Sequence, residues 1–204
     1  MKVLLFGGTF DPPHNGHLNN LRAAVQAVGP DEVVVMPAGV PPHKAASSTP
    51  AKLRYAMCGC FEELFRTPGS PRFTLSDWEI RRAGEGYRNY SVDTLEMLKK
   101  TRQGAELYMT IGSDMLLGFT RWHDWQRILT LCVLVVQSRQ PGDDRLLNEQ
   151  AKQLQARGGR ILFAHAPALP LASRDIRSGA VPLEQLPPLV RRLVAENHLY
   201  GYGR

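Results

Sequence analysis

Short apolar runs alternate with amphipathic segments along the whole chain. Five of these runs are rich in β-branched residues and show almost no polar alternation, at residues 2–6, 32–36, 106–111, 132–137 and 160–164. Runs of this kind are typical of parallel strands that are buried on both faces of a sheet. They therefore predict a mostly parallel sheet.

Helical spacing fills the segments between the runs, at residues 17–28, 51–65, 91–101 and 144–157. A last helix is predicted within "PPLVRRLVAENHL" (187–199), because the first helical turn accepts proline. This alternation predicts an α/β fold with a doubly wound, Rossmann-like sheet. We expect one domain over residues 1–204, with a small helical portion from about residue 171 to 204. Proline-rich loops are expected at 37–50 and 166–170.

The composition fits a cytoplasmic globular protein. The chain is 43% hydrophobic and 22% charged, and no stretch approaches the roughly 20 apolar residues that span a bilayer. We expect no signal peptide, because the N-terminus has one lysine and then a short strand-like run. Three cysteines, Cys58, Cys60 and Cys132, do not complete a zinc set and are expected to be reduced core thiols.

Basic residues exceed acidic ones by 25 to 19, which gives a net charge of +6. They are scattered as isolated doublets, without a basic tail or a continuous stripe. The charge therefore permits a phosphate-rich ligand but does not demand one.

In an open α/β sheet, ligands bind beyond the carboxyl ends of the strands. The unusual residue clusters of this chain come directly after predicted strands, in the loops that follow residues 6, 36, 111 and 164. A binding site is therefore expected at that edge of the sheet.

The most unusual of these clusters is "GGTFDPPHNGH" (7–17), between the first predicted strand and the first predicted helix. Its opening glycine pair lacks side chains, so a ligand can approach the backbone there. A helix that begins near residues 15–17 directs unpaired N–H groups at the same place, and such helix ends bind phosphate. His14 and His17, three positions apart, can face one way and donate to phosphate oxygens.

Other phosphate and metal motifs are missing from the sequence. It contains neither GxxxxGK[ST] nor GxGxxG, which argues against a Walker-type NTPase and a dinucleotide fingerprint. Zinc needs a third protein ligand beside the two histidines, and no HExxH or Cys/His set supplies one. The pattern favours a nucleoside triphosphate, and no protein metal site is predicted.

The stretch resembles the (H/T)xGH signature of the nucleotidyltransferase superfamily. Together with further motifs in the same order, it resembles the bacterial nicotinate-nucleotide adenylyltransferase family over nearly the whole chain. Those motifs are "PAGVPPHK" (37–44), "NYSVDTL" (89–95), "IGSDMLLGFTRWHDWQRIL" (111–129) and "HLYGY" (198–202).

This resemblance implies a nucleotidyltransferase fold and transfer of the adenylyl group of ATP, which arrives with Mg²⁺, to nicotinate mononucleotide. His14, His17 and Lys44 would be catalytic through contacts with the phosphates. The resemblance implies an ATP site formed by Gly7, Gly8, Thr9, Phe10, His14, His17, Gly112, Asp114, Ser173 and Arg177. Asp114 has an alternative role as the cap of the following helix.

For nicotinate mononucleotide, the resemblance implies a site formed by His43, Lys44, Tyr90, Ser91, Trp122 and His123. Trp122 would stack on the pyridine ring, whereas Trp125 is expected to pack inward. Backbone N–H groups near Ser91 and His123 would bind the carboxylate, which favours the acid over the amide. An alternative interpretation is that His43 and Lys44 lie on the surface of a loop and do not bind the nucleotide.

One motif departs from the family pattern. The family shows a stretch like ISSTxIR after the last strand, where this chain has "LASRDIR" (171–177). Ala172 and Arg174 replace a serine and the threonine, while Ser173 and Arg177 keep donors for ATP. Arg174 either replaces the hydroxyl donor of the threonine with a positive charge or blocks the ATP site. The substitution therefore bears on the affinity for ATP and on the reaction rate.

Two other functions stay open. The same fold can serve another acceptor, such as phosphopantetheine or a nicotinamide nucleotide, although "YSVDT" and "TRWH" argue against it. A nucleotide sensor or nucleic-acid-binding module without catalysis is the third candidate, against which His14 and His17 argue. The expected partners are ATP and nicotinate mononucleotide, with no nucleic acid and no membrane, and the sequence leaves homo-oligomer formation open.

Overall fold

The structure is a computed structural model, and it describes residues 1–40, 47, 49–137, 144–165, 169 and 171–202. Its strands are Lys2–Gly8 (β1), Glu32–Pro37 (β2), Arg72–Leu75 (β3), Glu106–Gly112 (β4), Cys132–Gln137 (β5) and Arg160–Ala164 (β6). They form one sheet in the order β3-β2-β1-β4-β5-β6. The pairs β1/β4, β4/β5 and β5/β6 are parallel. The predicted doubly wound sheet is confirmed, with its reversal of strand order between β1 and β4.

The α-helices of the described residues are Asn15–Val28 (α1), Ala51–Cys58 (α2), Trp78–Gly84 (α3), Ser91–Thr101 (α4), Ser113–Leu117 (α5), Trp125–Leu131 (α6), Asp144–Gln155 (α7), Ser173–Arg177 (α8) and Pro188–Glu196 (α9). Short 3-10 helices cover Gly59–Phe65, Phe119–Arg121, Leu183–Gln185 and Leu199–Gly201. The five predicted strands and the predicted helices are present.

Three features differ from the sequence prediction. The helix predicted over 51–65 ends at Cys58 and continues as the tighter turn Gly59–Phe65, because glycine favours an α-helix poorly. Strand β3 was not predicted, since its four residues are only partly buried and form no apolar run. Half of the loop predicted at 37–50 and most of the loop predicted at 166–170 lie outside the described residues.

The chain divides into two compact units that alternate along the sequence. The first comprises Met1–Phe6, Asn20–Val34 and Tyr90–Ala168. Its centre is apolar, since β5 is buried at every position and its Leu134 and Val135 are fully buried. This burial is the reason why the run at 132–137 lacks polar alternation.

The second unit comprises Gly7–Asn19, Val35–Asn89 and Leu169–Arg204. Its core includes Met57 and Phe61 together with Val190 and Val194 of α9, all fully buried. The prediction of a single domain over residues 1–204, with a helical portion from about residue 171, stays a prediction.

The three cysteines are free and buried, as predicted. Burial raises the pKa of Cys60 and of Cys132 to about 12. These thiols are therefore protonated packing residues at neutral pH. Among the helices that the structure describes, none is long and apolar enough to cross a membrane.

Candidate active site

The turn between β1 and α1 holds the two predicted histidines together. α1 begins at Asn15, where the sequence predicted it. The His14 backbone N–H donates to Nδ1 of His17 across 3.2 Å, and the ring centroids are 3.8 Å apart. His14 is buried, and its carbonyl accepts from the His17 N–H at 2.8 Å. Since Nδ1 of His17 accepts, a neutral His17 ring carries its proton on Nε2 and is a donor there.

The glycines of this turn serve different purposes. A Cβ at Gly16 would lie 3.0 Å from Cε1 and Nδ1 of His14, so glycine makes room for that ring. A Cβ at Gly8 would lie 2.9 Å from the Phe10 ring, so Gly8 serves internal packing. At Gly7 a Cβ would meet nothing within 4 Å. A side chain would therefore have room at Gly7 but not at Gly8.

Phe10 supports the histidine pair from within the unit. The residue is 2% exposed, and its ring centroid lies 5.3 Å from that of His17 and 5.2 Å from that of Phe61. Its backbone has the left-handed φ of 48°, which is unfavourable for a bulky residue. The side chain of Phe10 therefore packs on His17 and Phe61 within the unit.

Arg54 is a residue of this site that sequence reasoning missed. It is 3% exposed, and its Nη1 donates to the carbonyls of Thr9 at 2.9 Å and Ala38 at 2.8 Å. Burial lowers the pKa of Arg54, while the negative charge of Asp11 opposes that shift. The sequence feature that could have indicated Arg54 is its position as a basic residue within the apolar pattern of the predicted helix 51–65. Its guanidinium joins the turn to the end of β2.

Asp11 also lies at the centre of the turn and was not predicted. The residue is 5% exposed, and its carboxylate accepts hydrogen bonds at 2.6 Å from Ser47 Oγ and at 2.6 Å from the Tyr200 hydroxyl. Burial alone would raise the pKa of Asp11. The net effect is a pKa below the ordinary value of 3.8, because of the surrounding donors and cation, which are Ser47, Thr49, Tyr200 and Arg177.

The divergent motif packs against the same turn. Ser173 Oγ donates to the Pro12 carbonyl at 2.9 Å, and Arg177 Nη1 donates to the Asp11 carbonyl at 2.6 Å. Both predicted ATP ligands thus hold the backbone of the turn. Arg174 is 82% exposed and pairs with Asp175 at 3.1 Å, so its side chain extends into solvent. Predicted residues His43 and Lys44 lie outside the described residues.

A second group of predicted residues lies in the first unit. Gly112 ends β4 and is the N-cap residue of α5. Since glycine has no side chain, the helix has no side-chain capping hydrogen bond at its N-cap. Asp114 is exposed in the first turn of that helix. The alternative that Asp114 caps α5 is therefore wrong, because the chain enters the helix at Gly112.

The predicted nicotinate residues partly come together in the first unit. The rings of Tyr90 and His123 lie 4.3 Å apart, next to Ser91, the first residue of α4. Trp122 is half-buried, with its ring 5.3 Å from that of Phe119.

Trp125 was expected to pack inward, and it is not fully buried. Its ring is only half-buried, and the guanidinium of Arg157 lies over it at 5.3 Å. Burial therefore does not distinguish Trp125 from Trp122.

Comparison with known proteins identifies the class of protein to which the chain belongs. The cytidylyltransferase-like family model matches residues 5–179. The chain is thus a nucleotidyltransferase of the cytidylyltransferase-like class.

Relatives that match almost end to end narrow this class. A protein of Pectobacterium atrosepticum, named "Probable nicotinate-nucleotide adenylyltransferase", is 36% identical over 96% of this chain and 96% of its own length. A protein of the same name from Neisseria meningitidis serogroup C is 37% identical over 98% of each chain. The chain belongs to the nicotinate-nucleotide adenylyltransferase family.

A solved structure supports the fold independently. The nicotinic acid mononucleotide adenylyltransferase of Plasmodium falciparum, complexed with NaAD, superposes with a TM-score of 0.72 at 15% identity. The match covers 99% of this chain and 98% of that one. At this identity the likeness concerns the fold, and it confirms the predicted nucleotidyltransferase fold.

Proposed function

We propose that this protein transfers the adenylyl group of ATP to nicotinate mononucleotide, with nicotinate adenine dinucleotide and pyrophosphate as products. The observation that carries the proposal is the histidine pair at the start of α1, ordered by the hydrogen bond from the His14 N–H to His17 Nδ1. Membership of the adenylyltransferase family supports the choice of reaction and acceptor.

The turn of the second unit would bind the phosphates of ATP. The first turn of α1 contains no acidic residue, so its positive end is not neutralised. The backbone from Gly7 to Phe10 would contribute N–H donors, and His17 would donate from Nε2. Ser173, Arg177, His43 and Lys44 are assigned to the nucleotides on the family resemblance.

The first unit would bind the flat rings and the ribose. Trp122 offers an indole face for the pyridine ring, and the N-terminus of α4 next to the Tyr90–His123 pair offers donors for the nicotinate carboxylate. Asp114 is exposed and accepts hydrogen bonds, which suits ribose hydroxyls or the adenine amino group.

The chemistry is an in-line displacement at phosphorus. A phosphate oxygen of nicotinate mononucleotide forms a bond to the α-phosphorus of ATP, while the bond from that phosphorus to the pyrophosphate oxygen breaks. The attacking phosphate is largely dianionic at pH 7, because its second pKa is about 6. No general base or covalent intermediate is needed, and the protein contributes position and hydrogen bonds to the developing charge.

Mg²⁺ would enter together with ATP. Among the described residues, no three His, Cys, Asp or Glu side chains form a group that suits a metal ion. Mg²⁺ keeps several waters and is commonly held through substrate phosphates and one or two carboxylates.

The test is pyrophosphate release from ATP and Mg²⁺, with nicotinate mononucleotide, nicotinamide mononucleotide and phosphopantetheine in parallel. We expect release with the acid and release at least tenfold slower with the amide, because the amide leaves donors facing an NH₂ group. Release with phosphopantetheine alone, or with none of the three, would contradict the proposal.

A further inference from the structure

The C-terminal segment reaches the candidate phosphate turn through one tyrosine. The Tyr200 hydroxyl donates to Asp11 Oδ1 at 2.6 Å, across 189 positions of sequence. Both His198 and Tyr200 have left-handed backbone, with φ of 49° and 58°. Non-glycine residues keep this conformation only where the surrounding contacts determine it. The backbone of the segment is thus held in an unfavourable conformation that places the hydroxyl on Asp11.

Asp11 joins this segment to two other parts of the second unit. Its Oδ2 accepts from Ser47 Oγ, three positions after Lys44, and its carbonyl accepts from Arg177. Thr49 Oγ1 lies 3.3 Å from the Tyr200 hydroxyl. Hydrogen bonds to a buried carboxylate are short and strong, so these partners define one conformation of the turn.

The charge of Asp11 makes this arrangement relevant to ATP. A carboxylate three positions before His14 would repel a polyphosphate if it turned toward it. Donors on both carboxylate oxygens fix its direction and disperse its charge. Removal of one donor would loosen the turn and release part of the charge, and both effects weaken the binding of an anion.

We propose that Tyr200 is a positioning residue for ATP, which acts through Asp11 on the turn that carries His14 and His17. This inference rests on the proposed function for its choice of ligand. Tyr200 itself is not assigned a contact with ATP.

The experiment measures the Kd of Mg²⁺-ATP by calorimetry for the whole chain and for Tyr200→Phe, which removes only the hydroxyl. We expect the Kd to rise about tenfold, as for the loss of a hydrogen bond to a charged group. The KM for nicotinate mononucleotide should stay within twofold of the wild-type value. A general loss of stability would weaken the binding of both substrates and would not raise the Kd for ATP alone. An unchanged Kd for ATP would overturn the inference.

Tyr202→Phe is the matched control in the same segment. The Tyr202 hydroxyl donates to the carbonyls of Val181 at 2.6 Å and Ile176 at 3.2 Å. This variant also removes one hydroxyl from a part-buried hydrogen bond, but it leaves Asp11 untouched. We expect its Kd for ATP to stay within twofold of the wild type. An equal rise in both variants would show a structural role only and would overturn the inference.

A double-mutant cycle tests the route through Asp11. If Tyr200 acts through this carboxylate, Tyr200→Phe should weaken ATP binding little further when Asp11→Ala is already present. If the effects of Tyr200→Phe and Asp11→Ala on the Kd for ATP are additive, the inference that Tyr200 acts through Asp11 is overturned. A wild-type protein that binds ATP without releasing pyrophosphate would remove the proposed function, whereas the Kd comparison would still decide the role of Tyr200.

Discussion

The backbone N–H of His14 donates to Nδ1 of His17 across 3.2 Å, so the first histidine orients the ring of the second. This hydrogen bond assigns the proton of a neutral His17 to Nε2 and makes that nitrogen the donor. The three-residue spacing of His14 and His17 at the start of α1 thus places both rings on one side of the helix and also allows this hydrogen bond. It gives one of them a defined tautomer.

Replacement of His17 tests this donor directly. His17→Ala should lower kcat about 10²- to 10³-fold, the usual loss when one transition-state donor is removed. The melting temperature should change little, because the ring is only half-buried. His17→Gln places an amide near the position of Nε2, whereas His17→Asn places one near Nδ1, so glutamine should retain the higher kcat. Near-normal turnover of the alanine variant would remove His17 from the mechanism.

Gly16 is expected to control the position of His14. In Gly16→Ala, the new Cβ would press on the His14 ring at 3.0 Å and displace it. We expect kcat to fall at least tenfold, since small misplacements in an active site are costly, without loss of helix α1 by circular dichroism.

Gly84→Ala is the control for this change. A Cβ at Gly84 would meet nothing within 4 Å, and the residue lies at the end of α3. It should keep full activity, with equal or slightly higher stability. Full activity of Gly16→Ala would contradict the steric role of Gly16.

The sequence predicts the central strands of this fold because burial on both faces leaves a visible mark. The run at 132–137 is apolar up to its last residue, Gln137, and β5 is buried at every position. β3 leaves no such mark, since its four residues are partly exposed. α5 and α8, of five residues each, are too short to show helical periodicity.

The spacing of the residues, taken without the family resemblance, predicts the candidate site only where its residues are close in sequence. His14 and His17 form a local pattern at a predicted helix start. The pair Asp11–Tyr200 spans 189 positions and leaves no pattern, and Arg54 looks like an ordinary helix residue until the structure shows it buried. Long-range hydrogen bonds depend on how the segments fold back, and spacing along the chain does not encode this.

Trp122 is expected to select the pyridine ligand. Trp122→Ala should raise the KM for nicotinate mononucleotide at least tenfold, in line with the roughly 1–3 kcal/mol that aromatic stacking on a base contributes. The KM for ATP should change less than threefold. Trp125→Ala is the matched control, because Trp125 is also half-buried but lies beside Arg157. Equal increases in both KM values for Trp122→Ala would contradict stacking.

The two arginines of α8 should differ in their effect on ATP. Arg174 is solvent-exposed and pairs with its neighbour Asp175, a kind of pair that contributes little. Arg174→Ala should keep the KM for ATP within twofold. Arg177→Ala removes the 2.6 Å hydrogen bond to the Asp11 carbonyl and should raise that KM about tenfold. A larger effect at Arg174 would show that its charge replaces the missing hydroxyl donor.

The buried carboxylate of Asp11 should make folding stability depend on pH in a defined direction. Its pKa lies below the ordinary value of 3.8 in the folded chain, so the ionised form stabilises the fold. This contribution is complete above the unfolded pKa of about 3.9 and disappears as pH falls through the lower folded pKa. Asp11→Asn lacks this titration, so the stability advantage of the wild type should be constant from pH 7 to about 5 and shrink below about pH 4. Urea unfolding of both proteins between pH 7 and 3 measures the difference, and an advantage that stays constant down to pH 3 would contradict a stabilised carboxylate.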